Sequence, residues 1–140
     1  MFFIGDRLIK NAISAGRAIW PQKIIGDIFT FNFTPNYYIS FSLPFYGNYL
    51  NYLILAIIIS LFIVTIYLIL AKKCKNFEYL PLTFIIFGAI SNSIDRFHYG
   101  YVIDYLDLKY FTVFNLADVM ITIGVCWLIF ISFKFDKKYV

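Results

Sequence analysis

The chain has 140 residues, of which 61% are hydrophobic and only 14% charged. Soluble domains are about 45–50% apolar and about 25% charged, so this composition, with a mean hydropathy of +0.77, excludes a soluble globular domain and intrinsic disorder and points to a single domain written for lipid. In such a chain a net charge of +4 reads as a topology signal, and no nucleic-acid partner is expected.

Residues 1–16 carry Asp6, Arg7 and Lys10 after only five uncharged residues. That is too short for a full span of about 20 residues. They read as a partial first helix, either a stub or the end of a helix that starts upstream of Met1. The same brevity, with no basic stretch ahead of it, argues against a cleavable secretory signal. Residues 17–47 are rich in Phe, Tyr, Asn, Thr and Pro, and the run from Ile28 to Phe33 mixes alternating and aromatic positions. This predicts short β-strands at the membrane interface. Residues 48–71 contain no charge and predict a transmembrane helix that ends at Lys72, Lys73 and Lys75. Residues 78–95 predict a second span, closed by Asp95 and Arg96. Residues 111–133 predict a third, with Asp118 as its one charge and Lys134, Lys137 and Lys138 behind it. The two lysine clusters place the loop after residue 71 and the C-terminus on the cytoplasmic side. Residues 17–47 and 95–111 then face outward. Cys74 and Cys126 sit in different environments and read as free thiols.

Carboxylates at membrane depth cost about 2.5–3.5 kcal/mol each on insertion scales and mark function by default. Four of the eight acids, Asp95, Asp104, Asp107 and Asp118, fall within residues 95–118. The topology brings Asp104, in the outer segment, and Asp118, in the first turns of the last helix, to one depth just below the outer surface. Two carboxylates held close share a proton and titrate as a unit. One can take a proton from water while the other gives one to a carbonyl oxygen, with no metal and no nucleophilic side chain. The alternative at this point is a solvated loop acid beside an acid that the helix dipole favours at an N-terminus. Asn92 lies three residues before Asp95, and Asn115 three before Asp118. That spacing puts each pair on one helix face, and buried Asn side chains need partners, so the two faces are expected to meet. Arg96 reads as an ion-pair partner or a substrate clamp. His98, the only histidine, lacks companions for a metal site, and no metal or cofactor is expected. Ser91 and Ser93 lack a nucleophile elbow. Phe29, Phe31, Phe33, Tyr37 and Tyr38 read as interfacial anchors.

Residues 88–107 read Gly-Ala-Ile-Ser-Asn-Ser-Ile-Asp-Arg-Phe-His-Tyr-Gly-Tyr-Val-Ile-Asp-Tyr-Leu-Asp, and residues 114–118 read Phe-Asn-Leu-Ala-Asp, followed by Ile121 and Gly124. Together with the Asp6…Lys10 spacing near the start, these segments resemble the signature motifs of the lipoprotein signal peptidase (signal peptidase II) family, over essentially the whole chain from Asp6 onward. The resemblance implies a membrane all-α bundle of about four transmembrane helices with a small extracytoplasmic β-cradle. It implies an intramembrane aspartic protease of the bacterial inner membrane, without cofactor and expected to be monomeric. Such an enzyme removes the signal peptide from diacylglyceryl-modified prolipoproteins just before the lipidated Cys. By position, Asp104 and Asp118 match the catalytic dyad. Asn36, Asn92, Arg96 and Asn115 match polar residues that line the site or hold substrate, and Asp6, Lys10 and Asp95 match positions with structural roles. One departure is Tyr38, which stands where the family usually has Gly in the segment from Asn36 to Phe41. The competing readings are a non-catalytic membrane paralogue or scaffold that binds lipidated peptides, and a small proton or ion carrier using the buried acids.

Overall fold

Four helices and one four-stranded antiparallel sheet make up the secondary structure of the computed structural model over the described residues 1–16, 21–37, 48–71 and 79–136. In chain order these are α1 (Phe2–Ser14), β1 (Gln22–Ile25), β2 (Phe29–Asn36), α2 (Asn48–Leu70), α3 (Leu80–Tyr99), β3 (Val102–Leu108), β4 (Val113–Phe114) and α4 (Leu116–Asp136). Lys72, Lys73, Lys75, Lys137 and Lys138, which set the predicted topology, lie outside the described residues, as does Tyr38.

Residues Asn51–Leu70 and Leu116–Phe133 are the two described stretches long and apolar enough to cross a membrane. α2 is apolar all round, and its Leu53, Ile57, Phe62, Ile66 and Leu70 are exposed. A helix apolar on every side and bare of protein partners on most of them is built for lipid. The 13 residues of α1 extend roughly 20 Å at 1.5 Å per residue.

α3 and α4 pack closely because two glycines let them. A Cβ on Gly88 would stand 2.5 Å from the Ala117 carbonyl oxygen and 2.8 Å from Ile121 Cγ1. A Cβ on Gly124 would stand 2.6 Å from both the Pro81 carbonyl oxygen and Ile85 Cγ1. Small residues at such crossings allow the close approach on which helix association in lipid depends. α3 begins with Pro81 in its first turn, where the missing N–H costs nothing. It ends at Gly100, which adopts φ +80° and bonds back to the Arg96 carbonyl, a conformation that favours glycine.

The strands run in the order β1-β2-β3-β4. β2 pairs with β3 through Thr34 opposite Asp104 and Asn36 opposite Val102, with an irregularity between Phe31 and Thr34. β3 then pairs with β4 through Leu106 opposite Phe114. Three boundaries differ from the sequence reading. The predicted strands fell only within residues 17–47, whereas half the sheet comes from residues 102–114. The third predicted span began at 111, but Val113–Phe114 is a strand and the helix starts at Leu116. Its aromatic and β-branched residues suit a pleated edge. The second span was closed at 95, yet α3 continues to Tyr99, because Asp95 is compensated inside the protein and only Gly100 stops the helix.

β3 hides from an alternation test because both its faces are covered. Val102, Ile103, Asp104 and Tyr105 are all buried. Ile103 and Tyr105 join Ile13 of α1 in an apolar cluster, closed by Ile9, Phe31, Phe33 and Leu116. Val102 and Asp104, one residue out of phase, face the other way.

Replacing Gly88 by Val should lower stability by about 1–3 kcal/mol, the usual cost of overpacking, because its Cβ meets first the Ala117 carbonyl oxygen, which as backbone cannot swing aside. Thermal unfolding in detergent micelles measures it.

Candidate active site

Asp104 is 2% exposed and is held from two directions. Asn36, diagonally across the β2–β3 pair and on the same face, donates from Nδ2 to Asp104 Oδ2 at 2.8 Å. Asn115 donates from Nδ2 to Oδ1 at 2.6 Å.

Asp118 owes its position to the start of α4. Asn115 is not inside that helix on a shared face, as the spacing suggested. It caps it. Its Oδ1 accepts the Asp118 N–H at 2.9 Å, while Asp118 Oδ2 accepts the Asn115 N–H at 3.2 Å. This is a reciprocal capping box with Asn and Asp in the cap and third positions. Asp118 Oδ1 accepts from Asn92 Nδ2 of α3 at 2.8 Å. Asn92 Oδ1 in turn accepts from Asn115 Nδ2 at 3.1 Å. The two asparagines therefore meet as expected, and a bridge of two side-chain amides links Asp104 to Asp118.

A buried charge cluster stands behind the bridge. Asp6, Lys10 and Asp95 are all fully buried. Lys10 Nζ lies 3.1 Å from Asp6 Oδ2, 2.7 Å from Asp95 Oδ2 and 2.8 Å from Asn92 Oδ1. Arg7 completes the balance through an ion pair with Asp95 Oδ1. Asp6 Oδ1 accepts the Tyr105 hydroxyl at 2.8 Å and the Ala117 N–H at 3.3 Å. The Tyr105 oxygen accepts the Leu116 N–H at 3.2 Å. Burial, and then the negative charge of Asp6, pushes the Tyr105 hydroxyl above its ordinary range, so it remains a donor. Every one of the first four N–H groups of α4, at Leu116, Ala117, Asp118 and Val119, thus has an acceptor. An unsatisfied helix start buried in protein would be costly. Sequence reasoning missed Arg7 as the partner of Asp95, and missed Tyr105. The i, i+4 spacing of Asp6 and Lys10 hinted at a charged helix face. Nothing local pointed to Tyr105.

Asp104, Asp118, Asn36, Asn92 and Arg96 line one cavity of about 370 Å³, whose remaining walls are largely apolar, including Phe111, Phe114 and Ile121. Arg96 lies in electrostatic reach of Asp95, Asp104 and Asp118. Asp95 and Asn115 stay outside the lining, the first with the charge cluster and the second behind both acids. His98 is exposed and packs edge-on against Tyr99 at 4.5 Å. Burial, reinforced by the charge of Asp118, pushes the Asp104 carboxyl up to about 7, against the opposing pull of Asn36, Asn115 and Lys10.

The profile of the family described as Signal peptidase (SPase) II matches residues 1–134. The chain belongs to the signal peptidase II family. Its relatives include the lipoprotein signal peptidase of Caldicellulosiruptor bescii, 35% identical over 94% of this chain and 85% of that protein. That of Halothermothrix orenii is 34% identical over 94% and 90%. A solved bacterial membrane enzyme superposes with a TM-score of 0.76 at 24% identity, covering 95% of this chain and 83% of the other, a likeness of fold.

A carbon-13 titration of the Asp104 carboxyl in micelles should give a midpoint near 7, about three units above a free aspartate. Asp118→Asn should lower that midpoint, because it removes a like charge.

Proposed function

We propose that Asp104 and Asp118 are the catalytic pair of this enzyme, with Asp104 carrying the shared proton and Asp118 acting as base. Family membership makes the chain an aspartic peptidase of the signal peptidase II type, which removes signal peptides from lipoproteins. The observation that supports the pair is its geometry. Two carboxylates share one cavity wall and are joined by the Asn92–Asn115 bridge, and each accepts a donor on both oxygens. With Asp104 raised to about 7 beside the charge of Asp118, the pair is suited to share one proton near neutral pH, the division of labour that acid–base hydrolysis needs.

In the reaction a water molecule between the acids gives its proton to Asp118 and attacks the scissile carbonyl. Asp104 protonates the carbonyl oxygen, and a neutral tetrahedral diol results. In the collapse of the diol Asp118 passes its proton to the departing amine and Asp104 takes back a proton from a diol hydroxyl, so that the carboxylic acid product leaves and both acids are restored. Asn36 and Asn115 hold Asp104, Asn92 holds Asp118, and Arg96 is suited to a substrate carbonyl or carboxylate.

The mostly apolar wall formed by Phe111, Val113, Phe114, Val119, Ile121 and Ile123 fits a substrate that brings lipid with it. The reading is therefore a diacylglyceryl-modified prolipoprotein, cut just before the lipidated Cys, with the acyl chains lying in the bilayer beside the site. The lysine distribution supports a multi-pass bacterial inner-membrane protein with four spans, a cytoplasmic C-terminus and the sheet outside. A monomer suffices, since one chain supplies both acids.

Asp104→Asn and Asp118→Asn should each lower cleavage of a lipidated prolipoprotein by about 10²- to 10⁴-fold, with the fold retained. Full activity in either variant overturns the assignment. Substrate binding without turnover, unchanged in both variants, points to the scaffold reading. Because Asp104 must be protonated to donate, and its carboxyl is raised, kcat should fall as the pH rises through about 7.

A further inference from the structure

We propose that Lys10 is a positioning residue for the acid pair, acting through Asn92. Its ammonium holds the Asn92 amide in the one orientation that turns Nδ2 toward Asp118. The proposal rests on the reading of Asp104 and Asp118 as the catalytic pair and deepens it.

An ammonium has three protons and no acceptor. Lys10 is buried to 0% exposure, so each proton needs a partner from the protein. It finds three: Asp6 Oδ2, Asp95 Oδ2 and Asn92 Oδ1. The Asn92 atom facing a pure donor must be the carbonyl oxygen. Nδ2 is thereby turned to Asp118 Oδ1, which as a carboxylate oxygen requires a donor. The flipped amide would set N–H groups against the ammonium and an oxygen against the carboxylate, which is repulsive at both ends.

Asn115 alone directs Asn92 weakly. Its Nδ2 has two protons and three acceptors within reach, namely Asp104 Oδ1 at 2.6 Å, Asn92 Oδ1 at 3.1 Å and the Ile103 carbonyl at 3.5 Å. The shortest contact goes to Asp104. The ammonium contact is charge-assisted and therefore the stronger director.

Beyond its own pull on Asp104, what Lys10 contributes is orientation. Asp6 and Asp95 match the charges of Lys10 and Arg7 one for one, so the cluster as a whole is close to neutral. Without the ammonium, Asn92 can present Oδ1 to Asp118, an arrangement satisfied only when Asp118 holds the proton. The charged and titratable groups facing this point are Asp6 and Arg7 on α1, Asp95 and Arg96 on α3, Asp104 and Tyr105 on β3, and Asp118 on α4.

The test is a double-mutant cycle between Lys10→Met and Asn92→Ala, read as kcat per folded molecule on a lipidated prolipoprotein. Lys10→Met should lower kcat roughly 10- to 100-fold with KM little changed, a size in keeping with coupled polar networks, and should move the acid limb of the pH profile upward. In the Asn92→Ala background the same substitution should cost less than about threefold, because the route through Asn92 is already gone. Multiplicative losses, or an unshifted pH profile, overturn the proposal. If Lys10→Met does not fold, Asp6→Asn/Lys10→Met keeps the cluster neutral and replaces it in the cycle. If neither folds, Lys10 serves folding alone and the proposal fails. Its failure is separable from that of the acid pair, which Asp104→Asn and Asp118→Asn report on independently.

Discussion

A lysine ammonium with no access to water can persist inside a protein only if every proton meets an acceptor and a neighbouring negative charge balances its own. Lys10 is in that position, and much of the architecture follows from meeting its needs. Asp6 comes from its own helix, Asp95 and Asn92 from α3. Asp6 then reaches the first turn of α4 and Tyr105 of β3, and Asp95 accepts the Ile103 N–H at the start of β3. One buried cation thus ties α1, α3, α4 and the sheet to a single point. Removing one member of such a group is costlier than the group is worth, because it strands the others uncompensated.

Lipid makes this arrangement more consequential than it would be in a soluble protein. Apolar residues face outward along α2 and α4, so water-excluding burial cannot select among helix arrangements as it does in a soluble core. Close packing and polar contacts take over that role. Gly88 and Gly124 bring α3 against α4, and the approach places Asn92 within reach of both Asp118 and Asn115. The two acids arrive by different means, one on a strand buried on both faces and one in a helix's first turn. Their shared environment is polar on the protein side and apolar toward Phe111, Phe114 and Ile121. That suits hydrolysis of a bond whose flanking groups belong partly to lipid.

Legibility in the sequence differed between elements for identifiable reasons. α2 is a charge-free, mostly apolar run exposed on most of its sides, which suits lipid. β3 escaped recognition as a strand because its alternation separates two buried environments, Ile103 and Tyr105 toward α1 and Asp104 toward the cavity. Asn115 and Asp118 were recognised as partners, but a three-residue spacing is common to a helix face and to a capping box, and only the backbone distinguishes them. Arg7 was visible as a charge near Asp6, yet its partner lies 88 positions away.

The amino-acid sequence by itself determined the medium, the candidate acids and the family, because charge scarcity in an apolar chain and motif spacing are properties of the linear string. It could not determine which carboxylate meets which amide, that Asp6 and Tyr105 close the start of α4, or which way the Asn92 amide points. Those depend on distances between segments far apart in the chain, and on the requirement that each buried donor find an acceptor. That requirement can be satisfied only once the tertiary structure has brought the partners together.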